Sequence, residues 1–144
     1  MESLTDEHVL AAYVDGSDLD DVAPALRAAF ARFAGSGVWP SPQVLVVDQR
    51  QPPDPAEPES LPQWDMGLNL GLDHLPQSPG WFAGVEALVG VLRSLAAETG
   101  REFVLFLCFR SEPWRQEHLA FVGPGPVDLP WLRAAIERLT AGRG

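Results

Sequence analysis

Seven apolar residues in a row, Phe103 to Phe109 (FVLFLCF), form the run around which the other elements must pack. A run so short and so uniformly apolar predicts a strand buried on both faces. Ser111-Glu112-Pro113 interrupts it, and a run mixing polar and apolar positions then leads to Val122. The two runs predict a hairpin whose first arm is the central strand of a small sheet. Centring the turn on Pro113 sets Leu107 against Leu119, Leu105 against Phe121 and Cys108 against His118.

Alternation is strict from Trp64 to Asp73: Met66, Leu68, Leu70 and Leu72 share one face, and Asp65, Gly67, Asn69, Gly71 and Asp73 the other. Glycines on one face of a strand mark a place where another backbone, a ligand or a flat aromatic ring comes close. Trp64 or Trp81 is the expected filler. Val44–Val47 reads as a short buried strand. Helical spacing predicts a helix over Val22–Ala34, with Pro24 in its first turn and Gly35-Ser36-Gly37 as its stop. The longest helix is expected over Trp81–Glu98, where Gly84 and Gly90 suggest close packing, and the last over Leu129–Ala141, capped by Asp128. Near the start, Val9, Leu10, Tyr13 and Val14 fall at helical spacing behind Thr5-Asp6-Glu7 and predict a helix, with a strand over Val9–Val14 as the alternative.

The order αα-β-β-α-β-β-α predicts one α+β domain over residues 1–144, with an about four-stranded, mostly antiparallel sheet and helices on one face. The uncovered sheet face is then the place to look for function. Residues 49–63 break the pattern. Between Gln51 and Pro62 lie five prolines and three acidic residues, with Leu61 the only large apolar side chain, so an exposed, partly extended loop is expected there.

Charge adds what the pattern does not show. The net charge is −10, and all ten basic residues are arginine. Residues 1–73 hold 13 acidic and 3 basic side chains, whereas the remainder holds seven of each. That imbalance repels nucleic acid and anionic membrane and attracts a basic partner. No apolar run approaches the roughly 20 residues of a membrane helix, and the acidic opening (Glu2, Asp6, Glu7) is unlike a targeting segment. A cytoplasmic protein is expected. With Cys108 as the only cysteine, neither an intrachain disulfide nor a cysteine-built zinc site is possible.

Candidate chemistry is sparse. Asp15 to Asp21 superficially resembles a calcium loop, but the sixth and twelfth positions counted from Asp15 are Asp20 and Leu26 instead of glycine and glutamate. Helix capping and dipole complementarity explain these aspartates better. His8, His74 and His118 are too dispersed for a metal set, and no phosphate loop, dinucleotide fingerprint or nucleophile elbow is present. Cys108 beside His118 is the minimum for a thiol-dependent enzyme, although it stands mid-strand without a glycine-rich turn. A homodimeric scaffold joined through the glycine-faced strand 65–73 is a further alternative. The composition favours a non-enzymatic acidic binding module, needing no cofactor or metal and masking a basic protein partner in the manner of an immunity protein or antitoxin. The expected contacts are Asp18, Asp20, Asp21, Asp54, Glu57, Glu59, Trp64 and Asp65.

Overall fold

His8–Val14 is a strand (β1), and all seven of its residues are buried. The helix expected there is therefore corrected to the strand alternative. A strand covered on both faces loses its period-two signature, and Val9, Leu10, Tyr13 and Val14 then mimic helical spacing by chance. The computed structural model describes residues 7–16, 19–41, 43–48, 66–73 and 75–141, so the loop expected at 49–63 lies outside it. The other elements are α1 (Ala23–Gly35), β2 (Val44–Asp48), β3 (Met66–Gly71), a 3-10 turn at Leu75–Gln77, α2 (Phe82–Thr99), β4 (Phe103–Phe109), β5 (Glu112–Val122) and α3 (Leu129–Ala141).

The five strands form one antiparallel sheet in the order β2-β3-β1-β4-β5. This is the expected α+β domain with one strand more than the four counted from the pattern. The middle position belongs to β1, not to β4. A scaffold seam along β3 is also excluded at its edges, because β3 pairs with β1 on one side and with β2 on the other.

On one face, Leu10, Ala12, Val14, Leu68, Leu70, Phe103, Leu105 and Leu107 pack with the apolar stripes of α1, α2 and α3. Phe30, Leu88, Leu92, Leu132 and Ile136 are fully enclosed there. Each such side chain contributes about 1.5–3 kcal/mol by leaving water. Local signals fix the helix ends. Pro24 sits in the first turn of α1, Gly100 closes α2 at φ 74°, and the Trp131 N–H donates to Asp128 Oδ1 at 3.0 Å. No side chain caps α1, whose N-cap position is Val22, so the capping role expected of the nearby aspartates is not fulfilled by the described ones.

The opposite face carries a smaller layer made by Ala11, Tyr13, Val104 and Phe106, with Val47 and Cys108 at its margin. Tyr13 packs on Gly67 of β3, while Trp81 belongs to the helix-side core and Trp64 lies outside the described residues. A Cβ on Gly67 would lie 2.5 Å from Tyr13 Cγ, so only glycine admits the ring. The Tyr13 hydroxyl donates to Asn69 Oδ1 at 3.0 Å. Gly84 is likewise crowded, with Trp39 Cε3 3.1 Å from where its Cβ would be, whereas Gly90 has nothing within 4 Å and packs against no neighbour.

The β4–β5 hairpin forms, in a different register from the one expected. Phe103 pairs with Val122 and Leu105 with Ala120, then the count shifts so that Phe106 pairs with His118, Leu107 with Glu117 and Cys108 with Gln116. Leu119 is the extra residue of a bulge, which lets it turn into the helix-side core.

Candidate functional site at the acidic end of the sheet

The pairing brings four connections to one end of the sheet. Val14, the last residue of β1, pairs with Phe103, the first of β4, and Phe103 pairs in turn with Val122, the last of β5. Tyr13 pairs with Gly67 near the start of β3, and Asp48 at the end of β2 pairs with Met66. The β1–α1, β2–β3, α2–β4 and β5–α3 connections therefore all leave from this end. Asp18, Asp20 and Asp21 belong to the first of them, and Asp54, Glu57, Glu59, Trp64 and Asp65 to the second. Asp20 and Asp21 are exposed, whereas the other six expected contacts lie outside the described residues.

Three of these connections enclose an open notch of about 500 Å³ lined by Asp15, Ala96, Gly100, Arg101, Glu102 and Pro124. Its walls are held by backbone bonds. The Asp15 N–H donates to the Glu102 carbonyl at 2.8 Å, and the Gly100 N–H to the Ala96 carbonyl at 2.9 Å. Gly16, at φ 107°, turns the chain away after Asp15. Among the described residues, the Arg101 guanidinium lining the notch is paired with Asp21 at 3.1 Å, and the Arg93 guanidinium at its rim donates to the Pro124 carbonyl at 3.3 Å. With Asp15, Glu102 and Asp21 against Arg101 and Arg93, the formal charge around the notch is negative by one.

The opposite end handles carboxylates differently. Asp73 accepts the N–H groups of Glu7 and His8 at 2.8 and 3.1 Å, and Glu7 accepts the N–H and hydroxyl of Ser111. His8 is 7% exposed, its Nδ1 lies 3.6 Å from Asp73 Oδ1, and its ring stands edge-on to Phe109. This cluster joins residues 65 and more positions apart, so no local sequence signal exposes it. Among the described residues, no group of three or more His, Cys, Asp or Glu is placed to hold a metal ion.

The thiol and imidazole of the alternative enzyme reading are not brought face to face. Cys108 opposes Gln116, and His118 opposes Phe106 with its ring 4.7 Å from that of Phe121. Burial pushes the Cys108 thiol up to about 11, which keeps it protonated at neutral pH, the reverse of an activated nucleophile. Burial likewise pushes the Tyr13 hydroxyl up to about 12, partly offset by its bond to Asn69.

The tryptophans divide by role. Trp39 and Trp81 are buried and close the core, and the Trp39 indole donates to the Gly71 carbonyl at 3.0 Å. Trp114 and Trp131 are exposed. No helix among the described residues is long and apolar enough to cross a membrane. Compared with known proteins, the chain matches no family model, no curated protein and no solved structure.

Proposed function

We propose that the chain is a non-enzymatic acidic binding module, and that it works as an immunity or antitoxin-like inhibitor masking a basic, nucleic-acid-handling toxin or effector. One observation carries this reading: the carboxylates of Asp15, Asp21 and Glu102 meet at one end of the sheet, the same end at which Asp48 and Met66 anchor the two ends of the acid-rich segment 49–65. A charge excess gathered in one place steers a basic partner into encounter and orients it on arrival. The raised thiol of Cys108 speaks against the thiol-enzyme alternative.

Capture of partners from the native host at low and at high salt tests the proposal. The expected result is one basic protein retained at low salt, weakened at high salt, and lost from a variant carrying Asp15→Asn, Asp20→Asn, Asp21→Asn and Glu102→Gln. Retention of the same partner by that variant, with unchanged salt dependence, would falsify the electrostatic reading.

A further inference from the structure

We infer that Trp114, His118 and Phe121, on the outer strand of the sheet, form an aromatic strip that receives arginine side chains of the basic partner. This rests on the proposed masking function and specifies the chemistry of its contact. Trp114 and Phe121 are 79% and 57% exposed, and Phe121 and His118 stand on the sheet face away from the helices, paired with Val104 and Phe106 of the smaller layer. The strand order leaves β5 at the edge. The two residues are seven positions apart along the strand, roughly 20 Å, with His118 between them and against Phe121.

Two features select the occupant. The first is a contrast with Phe109, Trp81 and Phe82, buried rings that lie beneath the chain's own arginines. Arg115 lies 3.9 Å from the centre of Phe109, and Arg133 about 6 Å from those of Trp81 and Phe82. Among the described residues no arginine lies over Trp114 or Phe121, so their faces are open to an external cation. The second is continuity with the negative notch. Next to Phe121 along the same face come Gly123 and its neighbour Glu102, whose Cγ lies 3.8 Å from where a Gly123 Cβ would be. Glu102 also lines the notch. An arginine-bearing segment laid along β5 would stack its guanidinium planes on the rings and meet carboxylates at the end of the strip. Guanidinium stacks on an aromatic face better than ammonium does, so the strip prefers arginine to lysine.

The test titrates the isotope-labelled full chain with octa-arginine and with octa-lysine at low salt, reading chemical shifts. It uses the wild type, a strip variant (Trp114→Ala, Phe121→Ser) and a notch variant (Asp15→Asn, Glu102→Gln). All four substituted side chains are at the surface, and the amide spectrum reports whether each variant stays folded. The expected result is that octa-arginine moves the Trp114 indole N–H and the His118 and Phe121 amides. It should also bind about threefold to tenfold more tightly than octa-lysine. The strip variant should lose that preference, and the notch variant should weaken both peptides alike. If the strip variant keeps the arginine preference while the notch variant weakens binding, the strip is wrong and the acidic module stands. If neither peptide binds the wild type, both ideas fall. If the wild type self-associates in sedimentation and the strip variant does not, the occupant is a second copy of the chain, which overturns the assignment to a basic partner.

Discussion

The two ends of the sheet carry carboxylates for opposite purposes. At the end where β1 begins, Asp73 and Glu7 are committed to backbone N–H groups and to the Ser111 hydroxyl, stitching β1 to the turn after β3 and to the β4–β5 turn. At the end where β1 stops, Asp15 and Glu102 line an open notch, and Asp21 reaches only an arginine on the surface. Carboxylates that satisfy buried or half-buried donors are structural, because removing them leaves those donors stranded. The notch carboxylates bond no buried backbone donor among those described, so little of the fold depends on them.

The sharpest way to break this contrast is to disturb the sheet that fixes the acidic end. Gly67→Ala would drive a Cβ into Tyr13, and the strand must shift to admit it. A loss of about 3 kcal/mol in urea unfolding is expected, with the acidic connections displaced along with it. The contrast itself is measured by Asp73→Ala against Glu102→Ala. The first strands two backbone donors and should cost about 2 kcal/mol, while the second should change stability by less than about 0.5 kcal/mol. Equal losses would mean that the notch carboxylates are structural too.

A smaller effect concerns the sheet face between the two ends. Cys108 and Tyr13 hold their protons more tightly in the folded chain than their ordinary values of 9.0 and 10.0 imply. Above those values the folded state binds more protons than the unfolded one, so stability falls as pH rises. The fall should start near pH 9, run through about 11 for the thiol and continue to about 12 for the phenol, with no contribution below pH 9. Unfolding Cys108→Val alongside the wild type across this range should remove the earlier part of the slope. The smallest effect is expected from Arg101→Ala, which frees Asp21. As an exposed pair it should cost no more than a few tenths of a kcal/mol, yet make the notch more negative and tighten octa-lysine binding about twofold.

Much of this architecture is legible in the sequence, and the failures have physical reasons. Leu129–Ala141 is read to the residue because Asp128, the apolar stripe and Gly142 agree. The alternation of β3 shows plainly because its two faces meet different company, helices on one side and a tyrosine ring on the other. The strand β1 is misread because both of its faces are buried, and periodicity reports only a difference between faces. The hairpin register is missed because matching Leu107 with Leu119 assumes unbroken pairing, whereas a bulge at Leu119 turns that leucine inward without a partner. Of the candidate site, the acid-rich segments are visible as composition. That Asp15, Asp21 and Glu102 come together at one end is not, since it follows from antiparallel pairings between residues 9–14, 67–71 and 103–108. The exposed Trp114 and Phe121 are also hidden, because exposure depends on β5 being an edge.

The central place of β1 bears on how the chain is made. Its two neighbours are β3 and β4, whose partner residues lie about 55 to 100 positions further along. During synthesis at roughly 5–20 residues per second, the hydrophobic segment HVLAAYV waits several seconds or longer for the strands that will enclose it. Pairings this distant also raise the entropy cost of closing the sheet and slow folding. The segment most buried in the finished protein is thus the one left longest without its partners on the ribosome, which makes it the natural point of engagement for a holding chaperone.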